Sequence, residues 1–154
     1  ELTAASTLYS VPVISFAQAT GFDPVMEPFE IYEKSMADEE VLFATRPGKG
    51  YFALKVEGQS MEPEFPHGTL VLVAGGEFVQ NGDICVARLR SNGQVIIKEF
   101  NKSANICQLN SLNPEGASFS WDCVNERGFI EWMHPVIEAK ISLRDRNKLK
   151  NKQS

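Results

Sequence analysis

Val56-Glu57-Gly58-Gln59-Ser60-Met61-Glu62-Pro63 and Gly93-Gln94-Val95-Ile96-Ile97-Lys98-Glu99-Phe100 are the two stretches on which the reading of this chain turns. The first has the pattern of a strand running into a tight turn that presents a serine, with Gly58 allowing the sharp bend. The second is a strand carrying one lysine among large apolar residues. Side chains alternate between faces along a strand, so Ile96 and Phe100 share a face with Lys98, while Val95 and Ile97 point the other way. A lysine held among apolar groups loses hydration, which disfavours its charged form and lowers its pKa. Such a lysine is suited to take the proton of a serine hydroxyl near neutral pH. Ser60 and Lys98 are therefore the candidate catalytic pair, with Gly58 and Met61 as turn and oxyanion support. A short helix starting after Ser60 would aim backbone N–H groups at a developing oxyanion. Each residue also has a purely structural reading. Ser60 would then cap a helical turn, and Lys98 would lie at a sheet edge with its stem buried and its ammonium in water.

The flanking sequence supplies further strands. Val11 to Ala17 is apolar and β-branched, with Pro12 pushing it towards an edge or strand start. Thr20-Gly21-Phe22-Asp23-Pro24 has turn chemistry. Phe29 to Phe43 is acidic and mixed, suited to a short helix or turns. Arg46-Pro47-Gly48-Lys49-Gly50 is a loop, and Tyr51 to Val56 is a core strand. Thr69 to Ala74 is a continuous apolar run, typical of a strand buried on both faces. Asn81-Gly82-Asp83 and Ser91-Asn92-Gly93 are tight turns around a strand from Ile84 to Arg90, and Gln94 to Phe100 completes a hairpin with it. Ile106 to Leu112 is another strand. Residues 115–128 read as loop, and Phe129 to Leu143 as a closing strand broken near Pro135. Met133, Ile137, Ala139, Ile141 and Leu143 fall on one face of it and suggest an apolar edge. The fold expected is mainly β: compact, with short, mostly antiparallel strands and little helix. Strands without alternating long helices exclude a doubly wound α/β fold.

The bulk properties agree with one globular domain. The chain has 154 residues, 43% apolar and 23% charged, and no apolar run long enough to span a membrane. Its opening Glu1-Leu2-Thr3-Ala4-Ala5 lacks the regions of a signal peptide, which points to a cytoplasmic location. A net charge of −5 argues against direct duplex binding, which needs clustered cations. The tail from Arg144 to Lys152 is basic and reads as a solvated terminus. Cys85, Cys107 and Cys123 have no metal-type spacing, so neither a metal nor another cofactor is expected. Their odd number fits reduced thiols, with Cys85 a small core residue. The two histidines, His67 and His134, form no catalytic constellation with them.

Gly58-Gln59-Ser60-Met61 and Val95-Ile96-Ile97-Lys98 together resemble the peptidase domain of LexA-type repressors. That group includes the lambdoid phage repressors and UmuD and shares a signal-peptidase-like fold. A third segment, Val11-Pro12-Val13-Ile14-Ser15-Phe16-Ala17-Gln18-Ala19, is similar to the strand leading to the family's self-cleavage site. The three occur in the family's order, and the resemblance extends from about Val11 to about Leu143. It implies a linker over residues 1–10, a peptidase and dimerisation domain over residues 11–143 with its cleavage segment at 11–24, and a basic tail over residues 144–154.

The resemblance also implies a repressor that dimerises and cleaves itself in the DNA-damage (SOS) response, through a serine peptidase dyad of Ser60 and Lys98. The partners it implies are a second copy of the chain, a RecA filament or an antirepressor protein, and operator DNA held by a missing N-terminal helix-turn-helix domain. No membrane is implied, and a signal peptidase would need an anchor. The sequence departs from the family in two places. Thr69, after His67-Gly68, stands where the family more often has Gly-Asp, whereas Gly82-Asp83 keeps the family's turn. At the cleavage site, Gln18-Ala19-Thr20-Gly21 replaces the usual Ala-Gly or Cys-Gly. Cleavage is therefore expected at Ala19–Thr20 or at Thr20–Gly21, slowed by the β-branch of Thr20. One alternative is a non-cleaving dimerisation and antirepressor-binding module, and another is a UmuD-like polymerase accessory protein.

Overall fold

The computed structural model describes residues 7–15, 19, 39–57, 61–62 and 64–141. Among the described residues nine strands carry the fold: β1 Tyr9–Ile14, β2 Glu39–Phe43, β3 Phe52–Lys55, β4 Leu70–Val73, β5 Ile84–Leu89, β6 Val95–Ser103, β7 Ile106–Asn110, β8 Phe119–Asp122 and β9 Ile130–Lys140. They run in the order β2-β1-β3-β4-β9-β5-β6-β7-β8. Neighbours are antiparallel except β1 and β3, which pair in parallel through Val13–Ala53 and Ile14–Leu54. The mainly β, mostly antiparallel expectation thus holds.

Most strands follow the apolar runs. In β4, Val71, Leu72 and Val73 are all fully buried, as expected of a strand covered on both faces. The β5–β6 hairpin turns at Gly93, whose φ of 71° lies in the left-handed region. A Cβ there would also meet the Arg88 guanidinium at 3.0 Å. Gly82, with φ 93°, donates its N–H to the Phe100 carbonyl at 2.7 Å and so ties the entry of β5 to β6.

Three expectations are corrected. The end of the acidic stretch, residues 39–43, is a strand, β2, rather than helix or turns, while residues 29–38 lie outside the described residues. The strand forms because β1 offers it a full antiparallel register from Tyr9–Phe43 to Val13–Glu39. Inside the stretch read as loop lies β8, which pairs with β7 from Ile106–Asp122 to Leu109–Phe119. Its one buried residue, Trp121, packs on Phe100 and stacks on Phe129.

The third correction concerns β9, which runs through Pro135 without a break and lies inside the sheet rather than at its edge. Pro135 is where β9 changes partner: residues 130–135 pair with β5 and residues 136–140 with β4. A proline lacks the N–H that a ladder needs, and a change of partner is a place where that loss is tolerated. Its carbonyl still accepts the N–H of Ala74 at 2.8 Å. The buried face of β9 carries Trp132 and His134, whereas Ile137 and Ile141 are exposed.

The largest apolar cluster joins both halves of the sheet, with Ile14, Leu54 and Val73 from one side packed with Val86, Ile97 and Trp132 from the other. A second cluster around Ile96, Phe100, Leu109 and Trp121 fills the opposite face of β6. Alternation along β6 therefore holds Lys98 on the face of Ile96 and Phe100.

Candidate functional site

Lys98 is only 4% exposed. Burial lowers its pKa from the usual lysine value, because the charged ammonium loses water. Its Nζ donates to Ser111 Oγ at 2.5 Å, and the Ser111 hydroxyl donates in turn to the Ala117 carbonyl at 2.7 Å.

The lysine opens onto a cleft of about 250 Å³ lined by Gln94, Val95, Ile96, Ile97, Lys98, Glu57 and Ala117. Strand pairing explains the cleft. β7 pairs with β6 only from Glu99 to Ser103, while Val95 to Lys98 pair with β5 on the other side. Among the described residues no strand covers the second edge of residues 95–98. Unpaired N–H and C=O groups on such an edge can accept one more extended segment.

Glu57 belongs to the loop that carries the candidate serine. The loop leaves the sheet at Val56 and returns at Gly68 and Thr69. Gly68 donates its N–H to the Val56 carbonyl at 2.8 Å, and Val56 donates to the Thr69 carbonyl at 2.8 Å. Thr69, the departure noted in the sequence, is buried, and its hydroxyl donates to the Pro66 carbonyl at 2.7 Å. It thus serves the closure of this loop.

Gly58, Ser60, Thr20 and Gly21 lie outside the described residues. Met61, one residue past Ser60, is 1% exposed, and its carbonyl accepts the Phe65 N–H at 2.8 Å to make one helical turn. Ala19 is fully buried in the same apolar cluster as Met61, and its N–H donates to the Ser15 carbonyl at 3.0 Å. Residues expected to flank the cleavage bond and the nucleophile thus share one core.

Ser111 is the residue that the sequence did not reveal. A serine just after a strand and before Leu112-Asn113-Pro114 has ordinary turn chemistry, and nothing local connects it with Lys98. The cysteines take no part. All three are free thiols, and burial with a nearby Cys123 raises Cys107 to about 11. His134 is buried, accepts the Gly76 N–H on Nδ1 at 3.1 Å and stacks on Trp132, away from the lysine cleft.

The β domain thus holds a buried lysine at an open sheet edge, across a cleft from Glu57 at the base of the serine-bearing loop, and its family gives this arrangement a serine peptidase-type fold. The chain belongs to the Peptidase S24-like family, which matches residues 12–123. It is 29% identical over 107 residues to an uncharacterized HTH-type transcriptional regulator of Coxiella burnetii, covering 68% of this chain and 47% of that protein. It is 40% identical over 72 residues to the LexA repressor of Thermotoga petrophila, and 39% identical over 72 residues to that of Thermotoga maritima. Both LexA matches cover 46% of this chain and 36% of the relative. The chain therefore spans less than half the length of these relatives. Among the described residues no helix is long and apolar enough to cross a membrane.

Proposed function

We propose that this chain is the C-terminal regulatory domain of a transcriptional repressor, and that it cleaves its own backbone with Ser60 as nucleophile and Lys98 as base. The observation that carries the reading is Lys98: buried, lowered in pKa and set in a cleft whose rim includes Glu57, at the root of the Ser60 loop. The substrate is the chain's own segment around Ala19, which leaves the buried turn closed by its N–H on the Ser15 carbonyl and docks in extended form along the open edge of β6. Neutral Lys98 accepts the Ser60 proton as Oγ attacks the Ala19 carbonyl. Collapse of the tetrahedral intermediate breaks the C–N bond to Thr20, and Lys98 returns the proton to the leaving amine. Water, deprotonated by the same lysine, then hydrolyses the Ser60 ester and frees the Ala19 carboxylate.

Similarity to LexA supports a place in the DNA-damage response, with a RecA filament or an antirepressor as trigger and a homodimer as the working form. Operator DNA would be held by a helix-turn-helix domain outside this chain. A second reading, in which the domain dimerises and binds an antirepressor without cleaving, is favoured by Thr20. A β-branched residue after the scissile carbonyl restricts the backbone and crowds an approaching hydroxyl.

The test is intact mass after incubation at pH values from about 7 to 10, across which cleavage should rise as the base loses its proton. Fragments ending near residue 19 in the wild type, absent from Ser60→Ala and Lys98→Ala, are expected. Cleavage of Lys98→Ala at the wild-type rate would remove the base, and an inert, folded wild type would favour the second reading.

A further inference from the structure

Ser111 follows directly on β7, and its hydroxyl is bonded on both sides. Its proton goes to the Ala117 carbonyl at 2.7 Å, and its oxygen accepts from Lys98 Nζ at 2.5 Å. A hydroxyl whose proton is committed to a backbone carbonyl faces the amine as an acceptor. It is therefore a poor nucleophile for this lysine, which would have to draw a proton already engaged elsewhere. The serine's position is built in. A Cβ at Gly116 would come within 2.5 Å of Ser111 Oγ and 2.7 Å of its Cβ, so the glycine leaves the space that Ser111 fills. The Ser111 N–H also points to Ser118 Oγ at 3.4 Å, which draws the loop carrying Ala117 over the cleft.

We infer that Ser111 is a positioning residue for Lys98: pinned by the Ala117 carbonyl, its hydroxyl holds the lysine amine in the cleft and stabilises the ammonium formed when the base takes a proton. The inference rests on the reading of Lys98 as the base. A hydrogen bond to a charged donor is about twice as strong as one between neutral groups. Ser111 therefore favours the ammonium and opposes the desolvation that burial imposes. Without that opposition the amine would be too weak a base to hold the serine proton in the transition state. Among the described residues, the titratable groups brought near Lys98 are Glu57 across the cleft and Cys85 across the β5–β6 pairing. Burial keeps the Cys85 thiol protonated. Both residues are unchanged in the variants below, so the comparison isolates Ser111.

The experiment is a 13C NMR titration of the Lys98 side chain in lysine-labelled protein. It is run in a Ser60→Ala background so that the chain stays whole, and Lys98→Met assigns the signal. Ser111→Ala is expected to lower the Lys98 midpoint by about one pH unit, a tenfold change in the proton equilibrium, while Ser111→Thr keeps the wild-type value. Gly116→Ala should reproduce the effect of Ser111→Ala, and it carries the test if that variant does not fold. In the chain with Ser60 intact, Ser111→Ala should slow cleavage about tenfold at the plateau and move the inflection of the pH–rate profile to lower pH. A merely structural role would change the rate and leave the midpoint in place. An unchanged midpoint in folded Ser111→Ala or Gly116→Ala overturns the inference even if the wild type cleaves. A shifted midpoint in a chain that never cleaves leaves the Lys98–Ser111 coupling standing and removes the dyad.

Discussion

Thr45 and Glu138, distant in sequence, meet through the Thr45 hydroxyl, which donates to Glu138 Oε1 at 2.8 Å. The same carboxylate accepts the Thr45 N–H at 3.0 Å and the Ala44 N–H at 2.9 Å. One side chain of β9 thus ties down the chain as it leaves β2. Burial raises the Glu138 pKa, but these three bonds and Lys140 outweigh it and leave the pKa below its usual value. Glu138→Ala should lower stability by about 1 kcal/mol near neutral pH, the bonds to the carboxylate being discounted for its contact with solvent. A carboxylate depressed in the folded state stabilises above its unfolded pKa and loses that contribution as pH falls through the folded value. Urea midpoints of wild type and variant should therefore converge in acid. A gap that stays constant down to pH 3 would mean that the carboxylate's charge is not what holds this contact.

Lys98 should behave in the opposite sense. Its pKa is lowered in the folded state, so the unfolded chain binds more protons between the folded value and the usual 10.5. Stability then rises with pH across that window. Lys98→Met, which keeps the volume and removes the charge, should fold at least as stably as the wild type near pH 7, with the advantage shrinking as pH rises. Thermal melts across that range provide the measurement. A variant less stable than wild type at pH 7 and equally so at pH 10 would contradict a desolvated lysine.

Ala104, with φ 53°, is the one non-glycine residue in the left-handed region among the described residues. It occupies the two-residue turn between β6 and β7, whose last pair is Ser103–Ile106. Its Cβ makes that conformation unfavourable by about 1 kcal/mol. Ala104→Gly should recover about that much, less the greater freedom of glycine in the unfolded chain, and raise the melting temperature by about 1 °C. A lower melting temperature would show that the strain in this turn is smaller than the backbone entropy that glycine adds.

Thr20→Gly should accelerate self-cleavage by about tenfold, equivalent to about 1.4 kcal/mol off the barrier. Glycine removes the β-branch beside the attacked carbonyl and frees the backbone. The readout is the mass of the N-terminal fragment against time. A rate no faster than wild type, or a new terminus outside residues 19–21, would refute the reading of this segment.

Local pattern sufficed for much of the sheet. The apolar runs at Val11, Tyr51, Thr69, Ile84, Gln94 and Ile106 each became a strand, because burial of alternating or continuous apolar side chains is encoded within a few residues. Gly82 and Gly93 marked their turns, because only glycine takes positive φ without a steric cost. The acidic β2, the short β8 and the passage of β9 through Pro135 were not legible in this way. Each exists because a neighbouring strand offers hydrogen bonds: β1 to Glu39–Phe43, β7 to Phe119–Asp122, and β5 and then β4 to the two ends of β9. The candidate site divides in the same manner. An apolar strand announced a desolvated Lys98, since burial depends on its immediate neighbours. Ser111 acquired its role only when the end of β7 brought it back to β6, because a contact between side chains on different strands depends on register, which neither stretch of sequence contains.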